Sequence, residues 1–305
     1  DLDLASLARA ATELQAAGRA WSTLELLMLA KHEKRPLTHT LVCVALEALE
    51  ANPSERTPAT MDAYYIHEAF EFLHSCQDVA EDRVARLEFG FLPFLDRHSR
   101  LPRTLQRQLS RNPDFFIACL KLLFRPRSEV QGDVDVDDDA VVDPKLADKA
   151  SRIWHLLHDW RIIPGTLDDG TVSVDALRSW ILKARQDARE AGRLGVCDVT
   201  LGELFAHSPE DADKAKPALA IREIIEECES IELERGFAIG LHNLRGCYSK
   251  GLYDGGKQER DFSSKFSQYA AICVKWPRTA GVFRQVAEDY LKQAEREDAE
   301  ARVRD

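Results

Sequence analysis

Apolar residues recur at three- and four-residue steps along most of the chain, separated by short polar or proline-bearing breaks, and this period predicts helices almost throughout. LASLARAATELQAAG carries apolar residues at i, i+3 and i+4 and stops at Gly18, a residue that favours a helix end. STLELLMLAKHE follows, then a helix opening near Pro36 and running through LVCVALEALEAN. NPSERTPAT interrupts the pattern with two prolines, and Thr60 stands where it can cap MDAYYIHEAFEFLHSC. The helix through DRVARLEFGFLPFLDRH contains Pro93, which lacks an amide donor and is predicted to kink or end it. A short basic helix around PRTLQRQLS precedes Asn112-Pro113, a cap followed by proline at the first helical position, which opens PDFFIACLKLLF.

Residues 125–143 break the period and hold almost no large apolar side chain. Asp143-Pro144 repeats the cap-then-proline device and opens PKLADKASRIWHLLHDW, whose Trp154, Leu157 and Trp160 place it in the core. Trp154, Trp160 and Trp180 are expected to pack as one cluster. IIPGTLDDGTVSV predicts turns around a short hairpin, and helices follow in DALRSWILKARQDAREAG, PALAIREIIEEC and IELERGFAIGLHNLRG. Gly255-Gly256 opens KQERDFSSKFSQYAAICVKW, and Pro277 opens a last helix whose final dozen residues are polar all round and expected to fray. The expectation is an all-α protein of two helical lobes, 1–128 and 143–305, joined by an acidic linker over 129–142, with a glycine-rich loop in the second lobe. Short helix pairs joined by brief loops suggest a helical-repeat-like solenoid or a bundle, although no motif recurs at a fixed period.

Length and composition support that division. At 305 residues and 45% hydrophobic, the chain is near the size at which a single core stops growing. No window approaches about 18 uninterrupted apolar residues, so no membrane span is expected. The start, DLDLASLARA, has neither an initiator Met nor a basic-then-apolar signal pattern and suggests a piece cut from something longer. Seven cysteines stand singly with no C-x-x-C pair, several inside apolar runs, as reduced core thiols do in a cytoplasmic protein. The net charge of -11 argues against a general nucleic-acid coat, because phosphate binding is driven by cation density.

Charge is unevenly spread. In RPRSEVQGDVDVDDD the aspartates Asp133, Asp135 and Asp137 alternate, but neither the glycine nor the closing glutamate of a calcium loop stands at its offset. The stretch is therefore expected to be a solvated strap without metal. Just upstream, Arg97 to Arg127 holds eight cations against the single acid Asp114. Arg100, Arg103, Arg107 and Arg111 recur at three- and four-residue steps and form one stripe if helical, with Arg125 and Arg127 beyond it. This is the candidate site for an anion, nucleic acid or acidic partner, and the strap is placed to mask it; the competing reading is a solvated face.

Between Gly236 and Gly256 lie six of the 15 glycines. GLYDGGKQ approaches a phosphate loop, but Gln258 stands where the magnesium-binding hydroxyl would be and no apolar strand precedes it. Arg245, Lys250, Lys257 and Arg260 near a helix start remain a second candidate anion site, while Gly236 and Gly240, four apart, fit close helix packing. His155 and His158 lack further ligands, His67-Glu68 fails the zinc-protease pattern because Glu71 replaces its second histidine, and Cys247 beside His242 has no orienting third group. No cofactor motif is present, so no cofactor and no catalytic residue is expected.

The strings RLEFGFLPFLDRHSRLPRTLQRQLSRNPDFF, LLFRPRSE, ELERGFAIGLHNLRGCYSKG and WPRTA resemble the helical C-terminal regions of large, mostly uncharacterised bacterial multidomain proteins. Some of those carry NTPase- or nuclease-like modules and are suspected of antiphage defence. The resemblance covers most of the chain and implies a sensor or scaffold part with its chemistry elsewhere in the parent protein. The expected function is thus a non-catalytic binding, sensing or scaffold module that meets a protein partner or other domains of its parent chain. The competing class is an enzyme or anion-binding domain with its site in residues 245–260.

Overall fold

The computed structural model of the 305-residue chain describes residues 3–52, 63–95, 101–126, 144–167, 169–246, 251 and 255–304. Among these residues the protein is all-α, with fourteen α-helices and no strand. The expected hairpin is a single bridge between Thr166 and Val172. The helices are α1 (Leu4–Ala16), α2 (Ala20–His32), α3 (His39–Ala51), α4 (Ala63–Ser75), α5 (Glu81–Leu95), α6 (Arg103–Arg111) and α7 (Pro113–Leu123). They continue with α8 (Pro144–His158), α9 (Val174–Glu190), α10 (Leu194–Phe205), α11 (Leu219–Cys228), α12 (Ile231–Asn243), α13 (Lys257–Ile272) and α14 (Pro277–Arg304).

Two compact units result, Asp1–Gln108 with Asp143–Asp159, and Leu109–Val142 with Trp160–Asp305. This partition differs from a cut at the acidic stretch, because α8 belongs with the N-terminal helices and α7 with the C-terminal ones. The strap itself lies outside the described residues, as does Thr60.

In the first unit, Leu24, Leu27, Met28, Val42, Leu46, Ile66, Leu73 and Phe91 are sealed from solvent in one core. Each such side chain contributes about 1.5–3 kcal/mol by leaving water. Asp3 caps α1 by accepting from Ser6 N at 2.8 Å, and Gly18, at φ +71°, closes it. Pro93 neither ends nor interrupts α5, which runs on to Leu95. The carbonyl that proline leaves without its helical donor is that of Phe89, and Arg152 of α8 donates to it at 3.2 Å and to Gly90 O at 2.7 Å. Supplying that missing donor also holds α8 in this unit. Glu88, fully buried, accepts from the first amides of α6 (Thr104 N at 3.1 Å, Leu105 N at 2.8 Å) and hydrogen-bonds His74 Nε2 at 2.7 Å.

In the second unit Asn112 caps α7 as expected, its Oδ1 accepting from Asp114 N and Phe115 N. Phe116 of α7 packs on Trp160 and Trp180, with ring centroids 5.3 and 5.4 Å away. Trp154 is a correction to the expected cluster, since it lies on α8 in the other unit, 49% exposed, stacked on His158 at 4.9 Å. The segment Leu194–Phe205 forms a helix that the apolar period does not announce. Two glycines and several β-branched residues weaken its intrinsic propensity. Packing supplies what propensity lacks. A Cβ on Gly236 would stand 2.1 Å from Val199 O, and one on Gly202 2.2 Å from Leu233 O, so α10 and α12 touch backbone to backbone. The expectation that Gly236 and Gly240 are packing glycines holds, with Gly240 facing Glu203 and Ala206. The last helix does not fray within its described length but continues to Arg304.

Candidate functional site

The α6 stripe is where the period placed it, but its members are not free. Arg103 pairs with Glu71 at 2.9 Å and Arg107 with Glu81 at 3.6 Å. These acids stand on α4 and α5, 32 and 26 residues back in the chain, rather than in the strap. Arg111 is exposed on the same helix, and Arg100 and Arg127 lie outside the described residues.

The glycine-rich candidate is filled from within. Arg245, 9% exposed, pairs with the fully buried carboxylate of Glu259 and lies over the rings of Phe262 and Tyr290 at 5.2 and 5.4 Å. Arg260 pairs with Asp298, whose Oδ1 also accepts from Gly256 N at 2.7 Å. The anion at the start of α13 is therefore the chain's own Asp298, and Arg260's hydrogen bond, then Gly256's, hold that carboxyl below its usual range. Lys257 is exposed at the first position of α13, and Lys250 lies outside the described residues.

A further member of the basic tract, Arg125, leads to a different place. It follows Phe124, the extended C-cap of α7, and lines a cavity of about 810 Å³ in the second unit together with Arg185, Arg189, Arg193 and Asp198. The C-terminal half of α9 brings Arg185 and Arg189, four apart on one face. Gly192, at φ +67°, turns the chain, and Arg193 opens α10. Arg193 fixes this corner by donating from Nε to Phe124 O at 2.8 Å and from Nη1 to Ala191 O at 2.6 Å. The floor is a buried pair: Arg185 donates from Nε and Nη2 to Asp198 at 2.8 and 3.0 Å, and Ser230 Oγ donates to the same carboxylate at 2.7 Å.

Arg185 is thus neutralised. Arg125, Arg189 and Arg193 have no carboxylate within ion-pair reach among the described residues, whereas exposed Glu229 and Glu232 line the cavity at the α11–α12 junction. Phe124, Leu194, Val196 and Val199 give it an apolar wall. Two neighbouring thiols are not poised for chemistry, because burial pushes Cys228 up to about 11 and Cys197 higher still. A smaller cavity of about 410 Å³ shares Arg193 and contains Lys121, but Asp114, Asp187 and Glu190 line it and Lys183 bridges the first two.

Arg185, Arg189 and Arg193 were not singled out by sequence reasoning. Their four-residue spacing in RQDAREAGR is the same signal that marked the α6 stripe, diluted by Asp187 and Glu190 between them. Among the described residues no group of three or more His, Cys, Asp or Glu side chains is placed to hold a metal, and no helix is long and apolar enough to cross a membrane. Comparison with protein-family models, curated proteins and solved structures returned no match to this chain.

Proposed function

We propose that this chain is a non-catalytic helical binding or sensing module of a larger bacterial protein, and that it recognises an anion in the arginine-rimmed cavity of its second unit. The observation that carries this reading is that Arg125, Arg189 and Arg193 line one cavity with no carboxylate in ion-pair reach among the described residues. In a chain of net charge -11, cations left unpaired at a concave site point to a ligand that supplies the missing charge. The protonated thiols beside the cavity favour recognition over catalysis there. A cytoplasmic setting suits the six free cysteines among the described residues, and the resemblance to defence-associated multidomain proteins gives the module a parent in which sensing would be coupled to chemistry elsewhere.

Thermal unfolding in the presence of small organic anions tests this. A ligand at a hundred times its Kd stabilises by about 2.7 kcal/mol, a readily measured rise in Tm. The rise is expected for the natural chain, is expected to shrink with added salt, and is expected to vanish in Arg189→Glu, whose natural side chain makes no hydrogen bond or ion pair among the described residues. No rise with any anion, or an equal rise in Arg189→Glu, would leave only a scaffold.

A further inference from the structure

We infer that the ligand of this cavity is a compact organic phosphate, held by Arg125, Arg189 and Arg193 with its carbon body against Phe124, Leu194 and Val196. This rests on the reading of the cavity as an anion site and narrows it to one chemical class.

Size comes first. Small-molecule sites span roughly 300–1,000 Å³, and a cavity of about 810 Å³ is far larger than a bare phosphate needs. The apolar wall supplies contact for a carbon skeleton, and burying it contributes at about 25 cal/mol per Å².

Charge comes second. The lining holds four arginines against Asp198, Glu229 and Glu232, so 4 - 3 leaves a net +1. So small a net charge binds little through long-range field, and the grip must come from directed hydrogen bonds. Arginine provides these, since its planar fork meets an oxyanion with two parallel donors. Arg125 and Arg189 each offer a whole fork and Arg193 its remaining Nη hydrogens, with no carboxylate in ion-pair reach among the described residues. Together these donors call for more acceptor oxygens than one carboxylate owns, and a phosphate monoester presents three terminal ones. The corner at Gly195 leaves room for such a group, because a Cβ there would meet nothing nearer than Glu232 Cγ at 3.9 Å. The amides of Leu194, Gly195 and Val196 at the start of α10 add donors but would not make a site without the arginines.

Competing anions fail on the surroundings. A nucleic acid must lie along a surface whose net charge is -11, and beyond about 8 Å at physiological salt the cavity's own cations are screened. The arginines Arg103 and Arg107 of α6 already hold Glu71 and Glu81. A compact anion touches only the cavity.

Calorimetric titration of the 305-residue chain with phenyl phosphate, a nucleoside monophosphate, inorganic phosphate, citrate, an oligo-aspartate peptide and a single-stranded oligonucleotide decides the matter. One or both phosphate esters are expected to bind in a single saturable step, more tightly than every other probe. Arg189→Glu and Arg125→Glu are each expected to weaken that binding by roughly ten- to a hundredfold, the factor for losing one charged hydrogen bond, while Arg103→Glu leaves it unchanged. Citrate, the peptide or the oligonucleotide binding as tightly as the esters, with the same loss in Arg189→Glu, would overturn the phosphate assignment and leave the anion cavity standing. No binding by any probe, or binding indifferent to both cavity variants, would overturn the cavity reading itself and this inference with it.

Discussion

The arginines of α6 and those around the cavity of the second unit have the same local pattern and opposite surroundings. Arg103 and Arg107 stand four apart on one helical face, as do Arg185 and Arg189. On α6 the neighbouring helices present Glu71 and Glu81, which pair with Arg103 and Arg107. Of the three carboxylates that line the cavity, Asp198 is committed to Arg185, and the cations beyond it are left with donors to spare. Arg245 shows a third outcome, a cation drawn into the core by a buried glutamate and two rings. A cation's use is decided by the acid that folding brings to it, which can lie tens of residues away.

The contrast is broken most forcefully at the buried pair. Glu259→Ala leaves the Arg245 guanidinium, 9% exposed, without its partner and is expected to cost about 3–5 kcal/mol in urea unfolding. A cost near zero would mean that Arg245 escapes to solvent and is available to ligands after all. A similar separation is expected between two tryptophans. Trp160→Ala, at 1% exposure, is expected to cost about 3–5 kcal/mol, and Trp154→Ala, half exposed, no more than about 0.5 kcal/mol. Comparable denaturation midpoints for the two would erase the difference between core ring and surface ring.

The backbone contact that positions α10 is next in size. Gly236→Ala puts a methyl group against Val199 O and is expected to cost about 1–3 kcal/mol or more, while loosening the cavity corner that α10 builds. Near-natural stability would show that α10 and α12 separate easily. Acid titration sharpens the paired side of the comparison. The hydrogen bond from Arg83 holds Glu47 below its ordinary value, so the folded state binds fewer protons than the unfolded chain. The resulting stability is fully present above the unfolded glutamate value of about 4.3 and is lost as pH falls through the lower folded value. Glu47→Gln is expected to flatten that acid slope, whereas Arg189→Gln, which removes no ion pair, should leave it unchanged. The smallest effect belongs to the stripe: Arg103→Ala is expected to change stability by no more than about 0.5 kcal/mol, as exposed pairs do.

Much of this fold is legible in the chain. The helices α1 to α9 and α11 to α14 follow from the apolar period, and the cap at Asn112 from residue type alone. The exception, α10, has apolar residues on several faces and two glycines, so it shows neither a stripe nor a strong propensity. That helix forms one wall of the candidate site, and so the site was legible only through Arg125, the one described member of the basic tract that lines the cavity. The glycine-rich segment misled in the opposite direction. Its cations stand in sequence where a phosphate could sit, but Asp298, some forty residues on, already occupies the start of α13.

The sequence by itself determined the all-α class, the positions of caps and breaks, and the faces on which charges line up, because these depend on neighbours within a few residues. Tertiary structure alone decided that Arg152 would answer the donor missing at Pro93, that Trp154 would face solvent while Trp160 was buried, and which arginines would remain unpaired. Each of these turns on contacts between residues tens of positions apart. Local spacing carries no information about them, because the partner arrives only when the helices pack.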